Sequence, residues 1–279
     1  MYLCIYQMKF IVIYITNYII TPIICCMLST IIYYTYHIYK TFKIINTLEK
    51  KYNSKILYVK DVKNRKIDNI LMSIFKKTII SINDNDRLRY ILQENSDKNL
   101  LILIKSIGGY IHSSDSMLNL LNIHTKQKNV YIPNYAMSAA TLLVLACDNI
   151  FLNKFAALGP TDPQIELYQE MQSFKALSKL IEVKPIEHIK DENLIKYYEN
   201  KKLYDDNINL IAKYLKKHKK KDVLQKNMNN LIEMLSYGNI PHHTELNYEI
   251  LNKVINVNID IPEDIMTMYR QMNYLFKIL

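Results

Sequence analysis

Leu100-Leu-Ile-Leu-Ile-Lys-Ser-Ile-Gly-Gly109 decides the fold. The apolar run Leu100–Ile104 is too short to favour a helix and shows no polar alternation. Such a run describes a strand buried on both faces of a parallel sheet. Upstream, residues 85–95 read as a helix with Leu88, Ile91 and Leu92 on one face, and Ile56–Val59 as a further strand. Downstream come a helix at about 111–122, a strand at Val130–Ile132 and a sharp turn at Pro133–Met137. Ser138–Ala146 then reads as a helix and Asn149–Leu152 as a strand. Alternation of β and α predicts an α/β fold with right-handed crossovers. Residues 62–84 are mixed, 166–235 read as mostly helical, and the turn Ser236–His243 precedes a mixed tail.

Before this body lies a different kind of segment. Phe10–Tyr36 is a run of 27 residues without Lys, Arg, Asp, Glu or His. About 20 apolar residues cross the hydrocarbon core of a bilayer. Pro22 is compatible with a membrane helix, and the tyrosines at both ends suit the interface. Lys9 precedes the run, and Lys40, Lys43, Lys50 and Lys51 follow it, opposed only by Glu49. The positive-inside rule then assigns the bulk of the chain to the cytoplasmic side. A signal peptide has a shorter apolar region, and a core helix needs no such length. The expected organisation is a single-pass membrane anchor at 1–40, a helical connector at 41–55 and an α/β domain at 56–279.

Composition narrows the rest. The 279 residues carry 36 basic and 26 acidic side chains, a net charge of +10. With 49% apolar and 22% charged residues a core can be buried, which excludes wholesale disorder. Three of the four cysteines, Cys4, Cys25 and Cys26, fall in the apolar N-terminal region and Cys147 stands alone. Neither a disulfide framework nor a zinc motif fits that spacing. Residues 201–221 hold eight Lys and two Asp. They read as a solvated helix end, or as a patch attracted to an anionic leaflet. No nucleic-acid-binding pattern accompanies the charge, and no Walker-type loop implies ATP, so no cofactor or nucleic-acid partner is expected.

Chemistry gathers around the scarce glycines. Gly108, Gly109, Gly159 and Gly238 are the only four. A glycine pair after a buried strand is commonly a tight turn, but it also lets backbone approach a ligand and exposes N–H groups to developing negative charge. Ser138 opens a helix after a turn. It is either an N-cap or a nucleophile beside the Ala139 N–H. Asp162, between two prolines, caps a turn or orients a partner. His242 and His243 are adjacent, but zinc wants at least three protein ligands, so no metal site is expected.

Three ordered motifs carry a resemblance. Leu101–Gly109, Val130-Tyr-Ile-Pro-Asn-Tyr-Ala-Met-Ser-Ala-Ala-Thr-Leu-Leu143 and Ala157-Leu-Gly-Pro-Thr-Asp-Pro-Gln164 resemble the serine dehydrogenase proteinase family. Its members are membrane-anchored, ClpP-class serine proteases of the crotonase-like superfamily, related to signal peptide peptidase A. The likeness continues through Val183–Glu187, Asp191–Ile195 and Leu235–Gly238 to His242. It implies a ClpP/crotonase-like fold, a peptide substrate and a homo-oligomer. It implies Ser138 as nucleophile, an oxyanion hole from the N–H groups of Gly109 and Ala139 with Gly108 shaping the turn, and supporting roles for Asp162 and His242.

Ile107 stands where the family pattern has Pro, which predicts a loop less held by its own φ. A serine hydroxyl also needs a proton acceptor. No His lies within the 49 residues after Ser138. The likeness to signal peptide peptidases, which use a Ser–Lys dyad, instead implies a lysine base, with Lys184 first and Lys202 second among Lys179, Lys184, Lys190 and Lys202. Two rival functions share the fold: a catalytically silent membrane scaffold, and acyl-CoA chemistry on the same oxyanion geometry.

Overall fold

A computed structural model describes residues 14–61, 66–109, 111–167 and 170–278. A π-helical turn, Thr16–Ile20, runs into the 32-residue helix α1, Thr21–Tyr52, with Pro22 in its first turn. The chain reverses at Asn53, whose left-handed φ of 44° ends the helix, and enters strand β1, Ser54–Lys60. Helix α2 (Lys66–Ile74), strand β2 (Ile79–Ile80), helix α3 (Asn85–Glu94) and strand β3 (Asn99–Lys105) follow. Next come helix α4 (Ile111–Ile123), strands β4 (Lys128–Ile132) and β5 (Tyr135–Ala136), helix α5 (Ala139–Ala146) and strand β6 (Asn149–Leu152).

The main sheet has the order β2-β1-β3-β4-β6, and every pairing in it is parallel. Its alternating residues feed two cores, as a strand's period of two requires. Leu100, Ile102 and Ile104 face one side with Val130 and Ile132, under Leu88, Ile91, Met117, Leu121 and Leu143. Leu101 and Leu103 face the other with Ile56, Tyr58 and Tyr131. Coverage on both faces is why Leu100–Ile104 shows no polar alternation.

Beyond β6 the chain adds the short strand β7 (Ala157–Leu158), the hairpin β8 (Gln164–Leu167) and β9 (Glu170–Ser173), and helix α6 (Phe174–Val183). Helices α7 (Asp191–His218) and α8 (Gln225–Ser236), strand β10 (Leu246–Asn247), and helices α9 (Tyr248–Leu251) and α10 (Glu263–Ile278) complete it. Strands β10, β7 and β5 form a small second sheet. Residues 166–167 and 170–173, expected within a mostly helical region, belong instead to the antiparallel strands β8 and β9, and the first helix of that region begins only after Ser173.

The expected connector is the continuation of the apolar helix, with no break at residue 40. Thr41, Ile45 and Leu48 repeat at helical spacing and are buried, the latter two against the second core with Phe75, Ile265, Met268 and Met272. Residues from Tyr14 to Ile32 are exposed throughout. Of the basic run, Lys217 Nζ donates to the Ala146 and Cys147 carbonyls, at 3.2 and 3.0 Å, and reaches Asp148 at 2.6 Å. It thereby satisfies the open C-terminal end of the wholly buried helix α5.

His124 and His218 are buried, and each ring donates to a carbonyl 2.9 Å away, Lys98 O and Leu145 O respectively. Burial pushes both imidazoles below their ordinary range. The unfolded chain then takes up protons first as pH falls. Stability contributed by these groups is therefore present above about pH 6.5 and lost progressively below it. The melting temperature of the full chain in detergent should drop from neutral pH towards pH 5. His218→Gln should flatten that slope; an unchanged slope would remove His218 from this account.

Candidate active site

Two loops leave the carboxyl edges of adjacent strands, the place where open parallel sheets build sites. Strand β3 feeds Ser106–Gly109 and strand β4 feeds the turn before Ser138. They are stitched together: Met137 N–H donates to Ser106 O at 2.9 Å, and Ser106 bridges Ala136 in parallel. Thr141 Oγ1, buried in α5, lies 2.8 Å from the carbonyls of both Ala136 and Gly159. This ties the Leu158-Gly-Pro160 stretch beneath the same turn.

Ser138 holds φ 51° and ψ −127°, outside the regions ordinary residues favour. It occupies the N-cap position of α5 but makes no capping hydrogen bond. The structural reading of Ser138 as a cap thus fails. A strained residue at a strand-to-helix turn, with its hydroxyl unspent, matches what a nucleophile requires. Among the described residues, neither the Ala139 N–H nor the Gly109 N–H has an acceptor.

Gly108 needs to be glycine twice over. Its φ is 109°, and a Cβ there would sit 2.8 Å from Ser138 Cβ and 3.0 Å from Met137 O. Its N–H donates to Ser106 Oγ at 3.0 Å, leaving the Gly109 N–H as the free donor of the pair. Asp61, just beyond β1, holds the loop from the other side. It accepts from Ser106 Oγ at 2.5 Å and from the Ile107 N–H at 2.9 Å. Proline at position 107 could not donate that second bond. Here hydrogen bonds to Asp61 supply the order that a proline ring would otherwise supply.

Ser138 and Gly109 line a cleft of about 520 Å³ with Ala139, Leu142, Met171 and Leu210. Asp115, Asp162 and Asp206 also line it, and none of its described lining residues is basic. Asp162 is only 2% exposed. Its Oδ1 accepts from His242 Nδ1 at 2.7 Å and its Oδ2 from Gln164 Nε2 at 2.7 Å. Gly238 closes over it, since a Cβ there would lie 3.1 Å from Asp162 Oδ2. The His242 ring is part-exposed and is not among the cleft's lining residues; it is tied to the cleft through Asp162, with Nε2 free of any partner among the described residues.

Lys179, Lys184, Lys190 and Lys202 are all exposed, and none of them lines the cleft. Lys184 follows the last turn of α6, and Lys202 lies on the solvent side of α7. The structure therefore brings Ser138, the glycines, Ala139 and Asp162 together, with His242 attached through Asp162, and leaves both expected lysines outside. Asp61, Gln164 and Asn83, which faces Gly109, carry weight that sequence reading missed. A carboxylate just past a strand end was the one signal for Asp61. Cys147 offers no rival nucleophile: burial pushes its thiol up to about 12.

Ser138 thus stands at a strained turn on a parallel α/β sheet, with its hydroxyl and the Gly109 and Ala139 N–H groups unpartnered among the described residues. The chain belongs to the ClpP-like SDH-type serine proteinase family, whose model matches residues 6–275. Two uncharacterized proteins of Methanocaldococcus jannaschii are related to it. MJ0137 is 28% identical over 81% of this chain and 76% of its own, and MJ1495 is 27% identical over 82% and 75%. Among solved structures, a mutant of the 1510-N membrane-bound stomatin-specific protease aligns with a TM-score of 0.42 and 13% identity, covering 77% of this chain and 84% of that one. ClpP1 from Listeria monocytogenes aligns with a TM-score of 0.43 and 11% identity, covering 78% of this chain and 98% of that one.

Gly108→Ala should leave a folded protein whose Ser138 reacts about 100-fold more slowly with a fluorophosphonate probe, because small misplacements at a reacting atom cost that much. Unchanged labelling would show that the close approach of Gly108 to Ser138 is irrelevant to reactivity.

Proposed function

We propose that this chain is a membrane-anchored serine endopeptidase whose nucleophile is Ser138. The observation that carries the reading is the Ser138 turn itself: a strained serine with no capping bond, close to two N–H groups that have no acceptor among the described residues. Ser138 Oγ attacks the peptide carbonyl, and the Gly109 and Ala139 N–H groups receive the oxyanion. Each such donor contributes roughly 3–4 kcal/mol to transition-state stabilisation in other serine proteases.

For the proton acceptor, the reading favours His242 over the lysines expected from sequence. Asp162 cannot donate when ionised, so its bond to Nδ1 makes that nitrogen the donor and leaves Nε2 as the basic site. Nε2 takes the Ser138 proton as the Oγ–carbon bond forms, then returns it to the leaving amine as the C–N bond breaks. Water hydrolyses the acyl-enzyme by the same route in reverse. Asp162 orients the imidazole, and Gln164 holds Asp162 in turn.

The anchor is part of this proposal. It rests on helix Thr16–Tyr52, which is long and apolar enough to cross a membrane, and on the complete exposure of its apolar half. The lysines after it orient the α/β body to the cytoplasmic side. Peptides or membrane-proximal protein segments are the substrates, and a homo-oligomer is the working assembly.

Purified full-length protein should label at Ser138 with a fluorophosphonate and cleave an unstructured protein substrate. Ser138→Ala should abolish both, and His242→Ala should lower cleavage by about 10⁴-fold or more. Lys184→Met and Lys202→Met should each stay within about twofold of the parent, as surface substitutions do. Loss of activity in either lysine variant with His242→Ala active would restore the Ser–Lys dyad. Folded protein that never labels would leave a binding scaffold instead.

A further inference from the structure

A second groove, about 720 Å³ in volume, lies between α1 and the start of α10, far along the chain from the residues of the Ser138 cleft. Tyr36, Lys40, Lys43 and Thr47 line it at the i, i+4, i+7, i+11 spacing of one helix face. Ile44 and Leu48 contribute apolar surface, and Tyr39 stands at the rim. Its volume falls within the range of small-molecule sites.

The charges in this groove are unbalanced. Lys51 is already paired with Asp264 at 2.5 Å, and that carboxylate also accepts from Tyr52 OH at 3.0 Å. Glu263 is paired with Arg270. Both acidic groups of the groove are thus neutralised. The Lys40 and Lys43 ammonium groups have no acidic or hydrogen-bonding partner among the described residues. Two free ammonium groups above an apolar floor want a ligand with an anion at one end and hydrocarbon at the other.

Position supplies the rest. The uncharged run ends at Tyr36. At about 1.5 Å per residue, Lys40 lies roughly 6 Å and Lys43 roughly 10 Å further along the axis. The headgroup layer of a bilayer is roughly 5–7 Å thick on each side. Helical side chains tilt towards the N-terminus, which here means towards the membrane, and lysines reach headgroups in this way. We propose that the α1–α10 groove is a binding site for an anionic phospholipid, with Lys40 and Lys43 on its phosphate and Ile44 and Leu48 against the first methylenes. The proposal rests on the anchor reading above and does not depend on the chemistry at Ser138.

The test uses the full chain in nanodiscs of phosphatidylcholine alone, or of equal parts phosphatidylcholine and phosphatidylglycerol. Native mass spectrometry then reads the lipid retained. Phosphatidylglycerol should be retained selectively, and the double variant Lys40→Gln, Lys43→Gln should weaken that retention about 30-fold, from the usual contribution of two lysines at an anionic surface. Lys50→Gln, on the same helix but outside the groove, should change it by less than about twofold. Equal retention of both lipids, or an unaltered double variant, overturns the proposal. Equal thermal stabilisation by millimolar inorganic phosphate in phosphatidylcholine discs also overturns it, in favour of a free-anion site. Carbonate extraction separates the two readings: release of the protein from membranes defeats the anchor, while membrane-retained protein without lipid preference defeats only the groove.

Discussion

Ser106 is the residue through which the candidate site is assembled. Its carbonyl receives the Met137 N–H, its hydroxyl is shared between Asp61 and the Gly108 N–H, and its side chain is wholly buried. Three separate parts of the chain meet there: the exit of β1, the glycine loop after β3 and the serine turn after β4. The parallel register of β1, β3 and β4 is what brings them level. Without that register the glycine pair and Ser138 would be unrelated turns. With it, Gly108 is pressed against Ser138 closely enough that no side chain fits between them.

The unusual backbone of Ser138 costs on the order of 1–3 kcal/mol, and the surroundings of α5 offset it. All eight residues of that helix are buried, Thr141 is fastened at both ends of its loop, and Lys217 covers the C-terminal carbonyls. A lysine from the most basic part of the chain therefore serves the architecture of the site from its far end. Lys220, from the same basic stretch, is bonded to the side chain of Asn252 at the end of α9, at 2.7 Å.

Local signals carried the sequence reading where the chain is its own context. The apolar run at Leu100–Ile104, the helix opened by Ser138 and the strand at Val130–Ile132 all lie where their patterns predict. What escaped was non-local. Strand order put Asp61 beside Ile107, 46 positions away in the chain, and no pattern in either segment announces it. Gln164–Ser173 alternates too weakly to betray a hairpin, and its pairing partner is itself. Lysine ranking was the least legible, because proximity in sequence to a family-like stretch says nothing about which face of α6 or α7 a side chain takes. His242 was visible as a residue, but its bond to Asp162 spans 80 positions.

Helix α1 has one further consequence. It passes from a bare apolar stretch into contact with the sheet as a single unbroken rod of 32 residues, about 48 Å long. No break in the helix separates its two parts. In a bilayer such a mounting would hold the mouth of the cleft at a set height and heading, like a tool on a rigid shaft. Polypeptides would then be sorted by how far a pliant stretch of theirs stands off the lipid surface, before any side chain is read.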